Sequence, residues 1–271
     1  MENIRLWYSP SSFTRGIRYD TNEIDKLAKS EYILPDGKFN DKTWNYLNLD
    51  VKSYEKTFEK VLDGKRLKDI IINRNNPIVI DLMASPGTLD ELINKQILKG
   101  RGLAVSLLDH DYKEKYKNTS KLSAYEAPNI RWLQENLALP KTWKKIDDWL
   151  NEEKENKAHL IMARPIDGWD YFPENEFLYG MLLNNMWSKL DPNEGVLLFQ
   201  TPKNCFLVEK YISLALIYES LRKTVDIRFD QGNSEYGVPF VTTRPTMMIT
   251  KHPDSPKLLM HNVPTLLDLY K

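Results

Sequence analysis

PIVIDLMASPGTLDELINKQILKGRGLAVSL, residues 77–107, contains two short apolar runs separated by a turn and a helical pattern. The first run, Ile78 to Ile80, is β-branched and predicts a strand that ends near Asp81. A turn at residues 84–88 follows it. Apolar residues then recur at the spacing of an amphipathic helix, namely Leu89, Leu92, Ile93, Ile97 and Leu98.

The end of this segment is also predictable. Gly100 would end the helix, because glycine readily adopts the left-handed conformation of a helix terminus. Residues 103–107 are apolar again and predict a second strand. Strand, turn, helix and strand together form the unit from which parallel α/β sheets are built.

The turn at residues 84–88 is the candidate ligand site. In open α/β sheets, ligands bind outside the carboxyl ends of the strands. Gly87 would let a ligand approach the backbone closely, Pro86 stiffens the bend, and Asp81 would bind a cationic or hydroxyl-bearing group. The turn has neither the GxGxxG fingerprint of dinucleotide-binding domains nor the GK[ST] sequence of a phosphate loop. An ordinary strand-to-helix turn is the alternative.

DLMASPGT, followed by a helical segment and KGRGLAVSL, resembles the cofactor motif of class I S-adenosylmethionine-dependent methyltransferases. Within that superfamily it is most similar to the FtsJ-like RNA ribose 2′-O-methyltransferases. The resemblance extends over most of the chain after Pro77. It implies an α/β, Rossmann-like fold with a mostly parallel seven-stranded sheet, helices on both faces, and S-adenosyl-L-methionine as cofactor.

The rest of the chain supplies elements for such a sheet. We predict an N-terminal helical extension over residues 1–75, a methyltransferase domain over 76–252 and a tail over 253–271. Further helices are expected at 41–74, interrupted at Asp63-Gly64, and at 140–151, 173–190 and 205–221. Further strands are expected at 129–134, 158–163, 196–200, 225–229 and 246–249, with a polar loop at 230–238.

Composition limits the partners and the compartment. The chain has 38 basic and 38 acidic residues, so it lacks the basic excess typical of proteins that grip nucleic acid, although a local basic face remains compatible with that balance. The single Cys205 indicates a reducing intracellular compartment such as the cytoplasm, and the four histidines have no metal-ligand spacing. The start of the chain does not resemble a signal peptide, and no apolar run is long enough for a membrane span.

The resemblance implies where the cofactor lies. The methionine portion would contact the loop at 85–88, the ribose the end of the second strand, and the adenine the end of the third. Ser106 and Asn136 stand where the family usually has acids, and both can still form hydrogen bonds. The cofactor residues implied in this way are Asp81, Ala84, Ser85, Pro86, Gly87, Thr88, Ser106, Leu107, Asn136, Leu137 and Ala163.

The catalytic set of the FtsJ-like family, Lys-Asp-Lys-Glu, is not matched. The corresponding positions hold Asp20, Arg164 and Gln200, and the glutamate falls near Pro245. The catalytic residue is therefore unknown from the sequence. The candidates are Arg164, Lys203 and Asp20.

Arg164 and Trp169 are the predicted substrate-binding residues. A guanidinium group would bind a phosphate or carboxylate of the substrate, and an indole ring would stack on a base. The structural alternative is that Arg164 pairs with Asp167 or Asp170 while Trp169 belongs to the core.

Two functions follow from these observations. The first is a methyltransferase related to the RNA-modifying branch, acting on or binding RNA with a non-standard catalytic site. The second is a catalytically inactive relative that serves as an RNA- or protein-binding module. A nucleotide-binding oxidoreductase is disfavoured, because the turn lacks the glycine fingerprint.

Overall fold

A seven-stranded sheet forms the centre of the protein in the computed structural model, which describes residues 50–82, 86–106, 127–135, 137, 139–152, 156–164, 176–200, 225–232 and 244–259. The strands are β1 (Ile78–Leu82), β2 (Arg101–Ser106), β3 (Ile130–Gln134), β4 (Leu160–Ala163), β5 (Val196–Gln200), β6 (Val225–Gly232) and β7 (Arg244–Lys251). Their order is β3-β2-β1-β4-β5-β7-β6. The first five strands are parallel, and β7 runs antiparallel to both of its neighbours. This is the predicted α/β, Rossmann-like architecture with a mostly parallel seven-stranded sheet.

Strand β1 lies in the middle of the sheet, between β2 and β4. Ile80 aligns with Leu103 on one side and Ile161 on the other. Because β1 to β5 are parallel, their carboxyl ends lie along one edge of the sheet, which we call the carboxyl edge. Strand β1 therefore ends at the middle of this edge, where the candidate ligand site is expected.

Helices cover both faces of the sheet. They are α1 (Val51–Thr57), α2 (Glu59–Leu62), α3 (Leu67–Ile71), α4 (Gly87–Leu89), a π-helix (Asp90–Ile97), α5 (Pro140–Glu152) and α6 (Glu176–Lys189). Side chains alternate along β1, so Ile78 and Ile80 face the core with α5 and α6, while Val79 faces the core with α1 to α4 and the π-helix.

The helices α1 to α3 belong to the part of the chain predicted as an N-terminal extension. Their buried side chains, Tyr54 and Phe58 among them, share one core cluster with Val79 of β1 and Leu160 of β4. The predicted interruption between helices is present, because Asp63 and Gly64 have φ values of 53° and 77° and end α2. The domain boundary near residue 75 stays a prediction.

The helix after β1 ends earlier than its apolar pattern predicts. The π-helix stops at Ile97, and Leu98, expected on the apolar face, has a φ of 62° and is 77% exposed. Gly100 has a φ of 113°, and a Cβ atom there would lie 2.6 Å from the carbonyl oxygen of Pro77. The chain turns back at these two residues because Arg101 must donate its N–H to that same oxygen to begin β2.

The other strand boundaries lie within two residues of the predictions, and β7 is longer than predicted by two residues at each end. Strand β6 extends to Gly232, three residues into the predicted polar loop, because Gly232 still pairs with Arg244 across the hairpin. The predicted helix at 205–221 and the tail after residue 259 lie outside the described residues.

Candidate functional site

Helix α1 contacts the π-helix at the carboxyl edge. Asp50 caps the start of α1. Its side chain accepts a hydrogen bond from the Ser53 N–H at 2.7 Å and so satisfies one of the free donors of the first turn. The N–H of Val51 donates to Glu91 Oε2 of the π-helix at 2.9 Å. This orientation buries Val51, Ser53, Tyr54 and Thr57.

Asp81 is a buried carboxyl group near the end of the central strand. Its side chain has no exposed surface, and Oδ1 accepts a hydrogen bond from the Tyr54 hydroxyl at 2.8 Å. The other oxygen, Oδ2, is buried and has no hydrogen-bond partner among the described residues. Burial raises the pKa of Asp81 well above its ordinary value, while the Tyr54 hydrogen bond and the positive charge of Arg164 oppose that shift.

Arg164 follows the last residue of β4 and is 5% exposed. Its guanidinium donates a hydrogen bond to Ser53 Oγ. The guanidinium carbon also lies 5.6 Å from the centroid of the Tyr54 ring, within the range of a cation–π contact. The predicted alternative partners, Asp167 and Asp170, lie outside the described residues.

Gln200 ends β5 beside Arg164. Ala163 pairs with Phe199, so the next residue on each strand, Arg164 and Gln200, are neighbours at the carboxyl edge. Gln200 is 2% exposed, and its buried Nε2 atom has no hydrogen-bond partner in the part of the chain that the structure describes. Alternation along the strands places both side chains on the same face of the sheet as Asp81. We call Asp81, Arg164 and Gln200 the buried polar row.

Several predicted cofactor residues lie along the same edge. Pro86 and Thr88 are buried, and α4 begins at Gly87, just after β1. Ser106 is the last residue of β2, and Ala163 is the last of β4 and pairs with Leu82. The structure therefore brings the described members of this set to the ends of neighbouring parallel strands.

Leu137 lies beyond the end of β3 and is buried. Its carbonyl oxygen accepts a hydrogen bond from Trp143 Nε1 of α5 at 2.7 Å. The remaining predicted site residues lie outside the described part of the chain, namely Asp20, Ala84, Ser85, Leu107, Asn136, Trp169 and Lys203.

Sequence reasoning missed Ser53 and Tyr54. Both residues lie in helix α1. Tyr54 precedes Asp81 by 27 residues in the chain, and Ser53 precedes Arg164 by 111 residues. No motif or spacing links positions so far apart. The available signal was a tyrosine and a serine on the apolar side of a predicted helix, and this pattern is equally typical of ordinary core packing.

Within the described ranges, histidine, cysteine, aspartate and glutamate form no group of three or more suited to a metal ion. None of the helices in the described part of the chain has the length and apolar character needed to cross a bilayer.

Solved structures of similar fold include a spermidine synthase, a SAM-dependent methyltransferase and a fibrillarin/Nop5p complex. Spermidine synthase from Thermotoga maritima aligns over 78% of this chain and 63% of its own, at 15% identity and a TM-score of 0.43. A SAM-dependent methyltransferase from Agrobacterium tumefaciens aligns over 77% of this chain and 64% of its own, at 15% identity and a TM-score of 0.43. A fibrillarin/Nop5p complex aligns over 73% of this chain and 80% of the matched chain, at 16% identity and a TM-score of 0.43.

This chain spans less than two thirds of the length of the first two of these proteins. The sequence itself matches no known protein family and no curated protein sequence.

Proposed function

We propose that this protein is an S-adenosylmethionine-dependent methyltransferase related to the RNA-modifying branch, with its cofactor site at the carboxyl edge beside β1. The supporting observation is the buried Asp81 carboxyl group on the central strand β1, a few residues before Gly87, whose Oδ2 has no partner within the described ranges. Leaving a buried acceptor unpaired costs about 1–3 kcal/mol. A ligand group that donates a hydrogen bond to Oδ2 would remove this cost.

The residues at this edge fit the proposed cofactor. The amino-acid portion of S-adenosylmethionine carries an ammonium group, which suits Asp81 as a donor and as a counter-charge. Residues 84–88 would contact the methionine portion, Ser106 and Leu107 the ribose, and Asn136 and Leu137 the adenine, with Ala163 beside them. When bound, the cofactor supplies an electrophilic methyl group, and the chain's own residues orient the two reactants.

The methyl acceptor would lie at the ends of β4 and β5. Arg164 and Gln200 place a guanidinium group and an unpaired amide donor next to each other there, which suits a phosphate of RNA. Trp169 would stack on a base. In this proposal the chain lowers the barrier mainly by positioning, because the Lys-Asp-Lys-Glu set is not matched. Arg164, Lys203 and Asp20 remain the candidate catalytic residues.

One observation favours the second function, an inactive relative that binds RNA or protein. Arg164 stands where the resemblance implies a catalytic aspartate, and its guanidinium already contacts Ser53 and Tyr54 of α1. A side chain held in this way contributes to folding whether or not methyl transfer occurs.

Calorimetry with S-adenosylmethionine and S-adenosylhomocysteine tests the cofactor site. We expect the wild-type chain to bind both ligands and Gly87→Trp to bind neither, since the indole would occupy the approach to the backbone. Leu98→Trp is the matched control, because it adds a comparable ring at an exposed position beyond the far end of the π-helix. An absence of binding by the wild type at millimolar ligand would overturn the proposal.

Nucleoside mass spectrometry then separates the two functions. Total RNA incubated with the protein and S-adenosylmethionine should gain a methylated nucleoside, and Gln200→Leu should reduce that gain without preventing cofactor binding. Cofactor binding with no methylated nucleoside would instead support the inactive relative.

A further inference from the structure

Tyr54 connects helix α1 to two members of the buried polar row. Its side chain has no exposed surface, its hydroxyl donates to Asp81 Oδ1 at 2.8 Å, and its ring lies beneath the guanidinium of Arg164. A tyrosine that only filled the core would need a single partner for its hydroxyl. Here the hydroxyl and the ring each contact an ionisable group at the carboxyl edge.

The hydrogen bond from Tyr54 determines how Asp81 is presented. A carboxyl group has two oxygens, and a donor held at Oδ1 restricts rotation of the group about its last side-chain bond. The restricted rotation leaves Oδ2 as the oxygen available to a ligand. In metal sites, removing an outer group that orients a ligating side chain in this way typically costs about 10- to 100-fold in affinity.

We propose that Tyr54 is a positioning residue of the cofactor site, whose hydroxyl orients Asp81 so that Oδ2 meets the cationic group of the bound nucleoside amino acid. The inference rests on the proposed function. It adds that helix α1, part of the predicted N-terminal extension, completes the site in the folded domain.

The charge state of Asp81 follows from the groups that face it. Tyr54 from α1 and Arg164 from the end of β4 both favour the ionised carboxylate, against the effect of burial. The nearby acidic side chain of Glu91, in the π-helix, accepts a hydrogen bond from the Val51 N–H of α1. Removing the Tyr54 hydroxyl therefore raises the pKa of Asp81 further, and a cationic ligand then needs a higher pH to find the carboxylate ionised.

The test uses the full chain, Tyr54→Phe and the matched control Thr57→Val. Thr57 lies on the same helix, is buried, and donates its hydroxyl to the carbonyl oxygen of Ser53, so its loss weakens α1 without touching Asp81. The first readout is the pKa of the Asp81 carboxyl group in the ligand-free chain, followed by isotope-edited infrared or carboxyl NMR titration and assigned with Asp81→Asn. The second is the affinity for S-adenosylhomocysteine as a function of pH.

We expect Tyr54→Phe to raise the pKa of Asp81 and to weaken binding about tenfold at neutral pH, with recovery at higher pH. Thr57→Val should keep the wild-type pH profile even if it lowers stability equally. Asp81→Asn should remove the pH dependence, and this result does not require Tyr54→Phe to fold.

The inference would be overturned if Tyr54→Phe left both the pKa of Asp81 and the pH dependence of affinity unchanged. It would also be overturned if Asp81→Asn kept the wild-type pH dependence of affinity. Neither result would contradict the proposed function. A wild-type chain that binds no S-adenosylhomocysteine at any pH would overturn both.

Discussion

Arg164 and Ser53 are 111 residues apart in the chain, and the guanidinium of Arg164 donates a hydrogen bond to Ser53 Oγ inside the protein. The contact links the end of β4 to helix α1. Together with the contacts between Tyr54 and Asp81 and between Val51 and Glu91, it joins the N-terminal helices to the carboxyl edge. The candidate site therefore depends on residues that precede the first strand.

Ser53→Ala tests the strength of this link. The substitution removes an acceptor from a buried guanidinium, and we expect the free energy of unfolding to fall by about 1–3 kcal/mol. Urea denaturation measures the change. Ser188→Ala is the control, because the Ser188 hydroxyl donates a local hydrogen bond to the carbonyl oxygen of Asn185 in its own helix, and losing this bond should cost less. Equal losses in the two variants would argue against a special role for the Arg164 contact.

Gly100→Ala tests the turn that leads into β2. The backbone there has a φ of 113°, and the added Cβ atom would lie 2.6 Å from the Pro77 carbonyl oxygen. Strain and overpacking together should destabilise the chain by roughly 3 kcal/mol. Gly64→Ala is a suitable comparison, since Gly64 also has a positive φ but no atom of the described residues lies within 4 Å of a Cβ built there. We expect the Gly64 variant to lose about 1–2 kcal/mol, from backbone strain alone.

Lys251 lies at the edge of the sheet opposite the carboxyl edge, and its ionisation should make the stability of the protein depend on pH. Its ammonium donates to the carbonyl oxygen of Trp187 at 2.7 Å and lies 4.9 Å from the centre of that indole ring. Burial and the nearby charge of Lys157 lower the pKa of Lys251 from 10.5 to about 8. Between these two values the unfolded chain binds more protons than the folded chain, so the free energy of unfolding should rise with pH.

Urea denaturation between pH 7 and pH 10 measures whether the free energy of unfolding rises with pH. Lys251→Met should make this rise smaller than in the wild type, because the titrating group is gone. Lys257→Met removes an exposed lysine from the same C-terminal segment and should leave the rise unchanged. A wild-type slope in Lys251→Met would show that other groups cause the pH dependence.

Trp143→Phe tests how α5 supports the end of β3. The indole N–H donates to the Leu137 carbonyl oxygen at 2.7 Å, and the ring is almost fully buried. Losing this bond should cost about 1–3 kcal/mol of stability by urea denaturation. If Leu137 contacts adenine as proposed, affinity for S-adenosylhomocysteine should fall as well. Trp149→Phe, six residues further along α5, should lose stability while the affinity of its folded fraction stays at the wild-type value.

The sequence alone was sufficient for the class of fold and the order of its strands along the chain. Residues 77–107 encode a strand, a turn, a helix and a second strand through local preferences: β-branched runs, turn-forming residues and apolar spacing. The strand predicted at 196–200 has the same bounds in the structure. Local preference was less reliable where chain geometry overrides it, as at Leu98, where the left-handed turn toward Pro77 leaves an apolar side chain exposed.

Only the tertiary structure decided what surrounds Asp81. The sequence indicated a carboxyl group at the end of a strand and an arginine at the end of another, but a strand order is needed to place β1 beside β4 and then β5. The partners Tyr54 and Ser53 come from a helix outside the motif, and their contacts form because α1 must bury its apolar face against the sheet. Burial and the hydrogen bonds of buried groups arise from packing between distant segments, and no local pattern in a single sequence records them.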